Sequence, residues 1–497
     1  MRNHQKNLSV LRKGYLTLCE ALPWLDMSVW EDDEPRLRYK SSDMTPPCMQ
    51  TQTIAPGSAV SLSRLKSTHG PFLLRYNPDS PMRGEQAVLM TELAQQRLPL
   101  VIRHTDMDLE EIGCLAGRWP DTAIIIESGE LKILYFFEQV EQLLAEHSNL
   151  YLCTFNLCNW LGLERLCRRG LGKKLLFGSH RPRYSIHAAM GPVALGKLSW
   201  GEKCDIAGNN LRRLLSLPSV TAKEPVVAKP HSFIIDAHCH SGANGRFRVP
   251  DEAFSARDWL EFMDQASLER IFICPMEAVM DVGRSSRSCC SNLLEAAPQR
   301  ISYFHIFNPG GDKKHYERLE ECHFDSACVG IKIHPSFHEV AADDAGYRHV
   351  YQLADQWGMP IMTHSWECST ANLRQRLSHP SLFRRHLKEH PQLNFILGHA
   401  GGRPGAMDAV VELCREFPGV RVDLSGDYYD SGLVDYLVDT IGAARILFGS
   451  DMNWIDPRIN LAQVLGAHIS DRDALRILRN NAVDTYMTAL RNRIKRK

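Results

Sequence analysis

Five side chains of metal-binding type stand far apart in the chain, each at the end of a short apolar run: His238, His240, His364, His399 and Asp451. The first two lie in Asp236-Ala237-His238-Cys239-His240. Alternate residues of an extended strand share a face, so both imidazoles point one way and Cys239 the other. Two imidazoles from one strand, a third from His364 and the Asp451 carboxylate make a four-ligand nitrogen and oxygen set. That set suits Zn²⁺, with Mn²⁺, Fe²⁺ or Co²⁺ as alternatives. Any one of these residues alone reads as an ordinary polar strand end; their joint order carries the reading. Lys332 and His334 alternate with Ile331 and Ile333 and face the same side as each other. A lysine turned inward needs a partner or a shifted pKa, so Lys332 reads as facing substrate or a salt-bridge partner, or as structural. Trp366 and Arg403 follow His364 and His399 closely and are candidates, with Lys332 and His334, for contacting substrate.

These residues need elements that bring them to one place. Eight short apolar runs bounded by turns read as buried parallel strands: Phe233–Asp236, Arg270–Cys274, Ser302–Phe307, Val329–Ile333, Pro360–Thr363, Asn394–Gly398, Val420–Leu424 and Arg445–Gly449. Helical patterns fill most intervals; Tyr347, Val350, Tyr351 and Ala354 fall on one helix face. Eight strands alternating with helices predict a (β/α)8 TIM barrel, whose strand ends converge on one face. An open doubly wound sheet is the alternative. The segment Pro218–Pro230, with three prolines and no amphipathic period, reads as a linker. The expected division is thus 1–217, a linker over 218–230, and a barrel over 231–497.

The motifs of the second half are DAHCH, GIKIHP (Gly330–Pro335), PIMTHS (Pro360–Ser365), GHAGG (Gly398–Gly402) and FGSD (Phe448–Asp451). In this order and spacing the half resembles the amidohydrolase superfamily, in its family 2 branch of metal-dependent barrel enzymes. The resemblance implies one divalent metal held by His238, His240, His364 and Asp451. It implies that His399 positions or polarises water, and that Asp451 takes a proton from that water and passes it on. The same branch holds lactone hydrolases and non-oxidative decarboxylases, and the resemblance to binuclear relatives offers a carboxylated Lys332 bridging two metals as an alternative. The expected function is a metal-dependent hydrolase of a small amide, lactone or ester. The alternatives are a decarboxylase of an aromatic or unsaturated carboxylic acid, and an inactive barrel that binds a ligand or partner.

The first half, 1–217, is less regular. About 31–70 is polar and Pro/Ser-rich and reads as loop. Beyond it Phe72–Tyr76, Leu98–Arg103, Ala123–Ile126, Leu150–Thr154 and Leu175–Gly178 read as strands. Lys174–Ser179 (KLLFGS) resembles Arg445–Ser450 (RILFGS), and the interval from His180 to Asn210 equals that from Asp451 to Asn481. These agreements point to an internal duplication. The first copy has lost its metal set: Ser28 and Trp30 stand for the paired histidines, Arg103 or His104 for His364, Glu127 for His399 and His180 for Asp451. A partial, degenerate barrel-like α/β domain is therefore expected before the complete barrel.

The 497 residues carry 58 Lys plus Arg against 58 Asp plus Glu, a formal charge of zero. That balance argues against nucleic acid or an anionic membrane as partner. No apolar run approaches the roughly 18 residues of a membrane span. The start, MRNHQKNLSV, lacks the apolar core of a secretory signal, and the 15 cysteines form no C-x-x-C pair. A cytoplasmic protein with reduced thiols and a small-molecule substrate is expected, with a homo-oligomer left open.

Overall fold

The computed structural model describes residues 2–27, 47–53, 72–76, 86–129, 131–242, 254–369 and 372–495. The chain forms two compact units. One is principally Ala228–Lys497 with Met1–Lys13; the other is principally Lys40–Val227 with Gly14–Pro35. Residues 217–233 carry no regular secondary structure.

The first unit is a parallel eight-stranded sheet in chain order. Its strands are β7 (Ile234–Ser241), β8 (Leu268–Pro275), β9 (Ile301–Ile306), β10 (Cys328–Ile333), β11 (Ile361–Thr363), β12 (Phe395–Leu397), β13 (Val420–Asp423) and β14 (Ile446–Leu447). Beyond β14 the chain meets β7 again: Ala237 N–H donates to Phe448 O at 2.9 Å, and Asp451 N–H to His238 O at 2.9 Å. These bonds close the barrel, and they place the residues after β14 beside the paired histidines. The strands are mostly buried because helices cover them outside and side chains fill them inside. Phe272, Phe304 and Tyr486 pack edge to face in that interior, with Ile235, Met362, Ile396 and Leu447 in the same cluster. The helix Arg348–Trp357 buries Val350, Tyr351 and Ala354 and ends at Gly358, whose φ of 63° suits a residue without a Cβ.

The second unit holds β1 (Gln50–Thr53), β2 (Phe72–Arg75), β3 (Leu100–Arg103), β4 (Ile124–Glu127), β5 (Leu150–Cys153) and β6 (Leu175–Leu176), all parallel and in chain order. A short extended segment at Asp26–Met27 completes it. Asp26 N–H donates to Pro47 O at 2.9 Å, and Met27 N–H to Phe177 O at 3.0 Å. Among the described residues this makes a closed ring with one strand fewer than the barrel. Met27, Leu73, Val101, Ile125, Cys153 and Leu176 fill its interior. Strand β1 falls in the stretch read as loop. Its residues, QTQT, show no apolar alternation, and parallel pairing with β2 makes them a strand. Apart from Pro47–Met49, which precede β1, the rest of that stretch, and Ser28 and Trp30, lie outside the described residues.

Each unit has, within itself, the hydrogen bonds that the matching motifs supply. Ser179 N–H donates to Asp26 Oδ1 at 3.1 Å, and Ser450 N–H to Asp236 Oδ1 at 3.1 Å; both serine hydroxyls bind the same carboxylates. Asn210 Nδ2 donates to Gly172 O and Leu175 O, both at 2.8 Å, and Asn481 Nδ2 to Ala443 O at 2.7 Å and Ile446 O at 2.6 Å.

Candidate metal centre

Strand alternation and closure of the barrel bring His238, His240 and Asp451 to one point. Asp451 Oδ1 lies 3.1 Å from His240 Nε2 and 3.6 Å from His238 Nε2. One ligand atom from each of the three falls within 4.8 Å of the others, and all three side chains are buried. Their protonation can be read from the outer nitrogen of His240. His240 Nδ1 faces the Cys274 carbonyl oxygen at 3.0 Å, so that nitrogen carries the proton and donates. In a neutral imidazole the other nitrogen then has only a lone pair. Nε2 and the Asp451 oxygen are thus two acceptors at hydrogen-bonding distance, which is unfavourable unless a cation or an added proton sits between them. The donor set fits a divalent cation.

His364 stands apart from that point. Its Nδ1 lies 3.0 Å from His399 Nε2, and its Nε2 lies 2.8 Å from Gln375 Oε1. His399 reaches Asp451 from the other side, with Nδ1 at 3.6 Å from Oδ2. The lysine Lys332, 1% exposed, points its ammonium at His238 Nε2 over 3.0 Å. His334 stacks on His364 with ring centres 4.1 Å apart, and Trp366 stacks on the same ring at 5.5 Å. Arg403 lies over Trp366 at 4.8 Å and holds Asp427 through contacts of 2.8 and 3.2 Å. All nine residues singled out for the site lie on or beside the C-terminal ends of the strands, as a barrel of this type requires. Cys239 is fully buried.

Burial, with the Lys332 ammonium alongside, pushes the His238 imidazole down to about 4. Burial also lowers His364 and His334 well below the ordinary histidine range, so both are neutral near pH 7. Two loops are shaped closely around these groups. A Cβ on Gly426 would meet His399 Nδ1 at 2.9 Å, and one on Gly398 would meet Thr363 O at 2.6 Å. His399 (φ 62°) and Asp451 (φ 68°) are held in the left-handed region, which costs a non-glycine residue about 1–3 kcal/mol each.

One residue of the site escaped the reading of the sequence. Asp423, at the end of β13, is buried and accepts from His238 Nδ1 at 2.9 Å and from the His399 backbone N–H at 2.9 Å. Burial disfavours its charge, yet His238, His399 and Ser425 hold it well below the ordinary carboxylate range. Its signal was a carboxylate closing the strand Val420–Asp423, in Asp423-Leu424-Ser425-Gly426.

Ladder register relates the second unit to this site position by position. Leu175 pairs with Leu152, Leu152 with Ile126 and Ile126 with Ile102. In the barrel Ile446 pairs with Val422, Val422 with Leu397 and Leu397 with Thr363. Counting from the shared hexapeptide, Arg103 rather than His104 corresponds to His364. Ser128, not Glu127, corresponds to His399; Glu127 falls on Gly398. One ladder further, Leu74 pairs with Leu100 and Ile331 with Ile361, so Arg75 corresponds to Lys332. Glu127 is fully buried beneath Arg75, which grips it with two contacts of 2.9 Å, Arg103 at 3.3 Å and His180 at 3.0 Å. The described residues of this unit hold no cluster of metal-ligand type.

The profile of the amidohydrolase family matches residues 235–487. That is half of the chain, and the chain belongs to the amidohydrolase family. Among solved structures, the chain is similar to an uncharacterised TIM-barrel protein from Bordetella bronchiseptica (17% identity, 52% of this chain and 99% of the other, TM-score 0.43). It is also similar to 5-carboxyvanillate decarboxylase from Sphingomonas paucimobilis (13%, 52% and 99%, TM-score 0.40). A third is a probable 2-pyrone-4,6-dicarboxylic acid hydrolase from Acinetobacter baumannii (10%, 51% and 98%, TM-score 0.37). No curated protein matches the chain.

Proposed function

We propose that the barrel is a metal-dependent hydrolase of a small carbonyl compound, an amide, lactone or ester, with one divalent cation held by His238, His240 and Asp451. The observation that carries this is the facing pair of acceptors, His240 Nε2 and Asp451 Oδ1 at 3.1 Å, with the outer nitrogen of His240 committed to a carbonyl. His364 remains the candidate fourth donor; its nitrogens face His399 and Gln375 in the structure. When bound, a divalent cation in such a set acts as a Lewis acid toward a carbonyl oxygen and lowers the pKa of a water. Asp451 keeps Oδ2 toward His399 while Oδ1 faces the paired imidazoles, so one carboxylate can both hold a cation and accept a proton from an attacking water. Lys332 and His334 face the same mouth and are positioned to orient substrate. The stacked Trp366, His364 and His334 rings form one wall of it.

The test is turnover by the full chain, loaded with Zn²⁺ or Mn²⁺, of a panel of lactones, amides, esters and aromatic carboxylates in ¹⁸O-water. Hydrolysis places ¹⁸O in the acid product. Release of CO₂ with no solvent oxygen in the organic product overturns the hydrolase reading in favour of decarboxylation. A metal-loaded protein inert to the whole panel favours the ligand-binding reading.

We further propose that the second unit is a degenerate copy of the barrel, duplicated within the chain and shorn of its metal site. The paired Ser–Asp and Asn–carbonyl bonds at matching positions support this. In place of metal ligands it has an ion cluster around Glu127. His180→Ala in the full chain is expected to leave the metal content unchanged; loss of a cation equivalent would contradict the proposal.

A further inference from the structure

The two imidazoles that flank Asp451 share one anchor on β13. Asp423 Oδ2 receives His238 Nδ1 at 2.9 Å. Asp423 Oδ1 receives three donors: the His399 backbone N–H at 2.9 Å, the Ser425 backbone N–H at 3.1 Å and the Ser425 hydroxyl at 2.5 Å. Every one of these partners can donate, and an ionised carboxylate is an acceptor only. The hydroxyl of Ser425 has a single hydrogen, and Asp423 takes it. Ser425 Oγ can therefore only accept from His399 Nδ1, 2.9 Å away. The same oxygen lies 2.8 Å from His238 Nδ1, beside the Asp423 contact. With Nδ1 protonated on both rings, both Nε2 atoms are bare. On His238 that lone pair faces Lys332 Nζ at 3.0 Å and the cation position beside Asp451. On His399 it faces His364 Nδ1 at 3.0 Å, which must then be the donor; the bare Nε2 of His364 then accepts from Gln375, 2.8 Å away, whose amide presents its nitrogen there.

We infer that Asp423 and Ser425 are positioning residues that lock His238 and His399 in the Nδ1–H tautomer, so that His238 presents a bare Nε2 to the metal position and His399 one to His364. For His238 this rests on the metal reading above; the tautomers themselves do not. A carboxylate behind a metal-ligating histidine fixes ring orientation and raises its basicity, and loss of such a partner costs about 10–100-fold in metal affinity. Asn at 423 can turn its amide N–H₂ toward His238 Nδ1. That would force the proton to Nε2 and close the lone pair to a cation.

The experiment uses the full chain labelled with ¹⁵N in histidine alone. Solid-state ¹⁵N spectra are recorded on metal-free protein, with His238→Gln and His399→Gln assigning the two rings. Co²⁺ affinity is then measured against a competing chelator, together with the visible Co²⁺ spectrum. Wild type is expected to show both rings as Nδ1–H. Asp423→Asn is expected to shift the His238 proton to Nε2, weaken Co²⁺ by about 10–100-fold and alter the Co²⁺ bands. Should Asp423→Asn fail to fold, Ser425→Ala and Ser425→Thr decide: Ala disturbs the His399 tautomer and weakens Co²⁺, while Thr, which keeps the hydroxyl, restores both. Wild-type rings found as Nε2–H, or variants with unchanged tautomers and affinity, overturn the inference. Wild type that shows Nδ1–H but binds no Co²⁺ supports the tautomer lock and overturns the metal reading alone.

Discussion

Glu127 offers a quantitative test of the ion cluster in the second unit. Burial alone would raise its pKa, but the His180 imidazole and the Arg75 and Arg103 guanidiniums hold it at about 2, against 4.5 for an ordinary glutamate. A carboxyl depressed by that much in the folded state contributes about 3 kcal/mol of stability at neutral pH. The sign follows from the depression: the contribution is complete above about pH 4.5 and disappears as pH falls through about 2. By the same linkage about 2 kcal/mol remains at pH 3.5. Glu127→Gln keeps the shape and removes the charge, leaving Arg75 and Arg103 facing each other without a counter-ion. The variant is therefore expected to be about 3 kcal/mol less stable at pH 7, with the gap to wild type narrowing to about 2 kcal/mol at pH 3.5. Urea titrations of the full chain, read by hydrogen-exchange protection of the β3, β4 and β5 peptides, follow this unit rather than the barrel. A gap that stays constant from pH 7 to 3.5, or no gap at pH 7, would refute the reasoning.

Other perturbations reach different parts of the chain. Asn481→Ala strips the donor from two buried carbonyls and is expected to cost the barrel about 2–4 kcal/mol in chemical denaturation; Asn210→Ala should do the same to the second unit. Arg12 donates to Leu465 O and Ile469 O, both at 3.0 Å, to Asp471 at 2.9 Å and to Ala467 O, so Arg12→Ala should cost about 2 kcal/mol and lower the thermal midpoint of the barrel. Lys332→Met removes a charged donor that competes for the His238 Nε2 lone pair, so isothermal titration with Zn²⁺ should show affinity raised about tenfold. A carboxylated, metal-bridging lysine predicts a large loss instead.

Much of the barrel was legible because buried parallel strands announce themselves as apolar runs. The run Arg270–Cys274 lies inside β8, and Val329–Ile333 lies inside β10. Strand β1 was not legible, because Gln50–Thr53 has no apolar face and its strand character comes from pairing with β2. In the site, His238, His240 and Asp451 could be brought together on paper because alternation and barrel closure fix where they point. Asp423 could not, since its role is a hydrogen bond to a residue 185 positions away, and a lone aspartate at a strand end has many uses. The equivalence of Glu127 with His399 slipped by one residue for a related reason. Intervals along the chain absorb loop-length differences silently, whereas ladder partners count residues strand by strand. His364 shows a different limit: its type and strand end mark it for the site, but its hydrogen bonds to His399 and Gln375 depend on rotamers that no spacing encodes.

The most direct test of the account is the metal content of the purified full chain, measured by inductively coupled plasma mass spectrometry beside His240→Ala and Asp451→Ala. About one equivalent of a divalent metal per wild-type chain, lost in both variants while each remains folded, is the result expected of a three-residue cation site. A wild-type chain without metal after growth in metal-supplemented medium, or variants that keep the full equivalent, would contradict it.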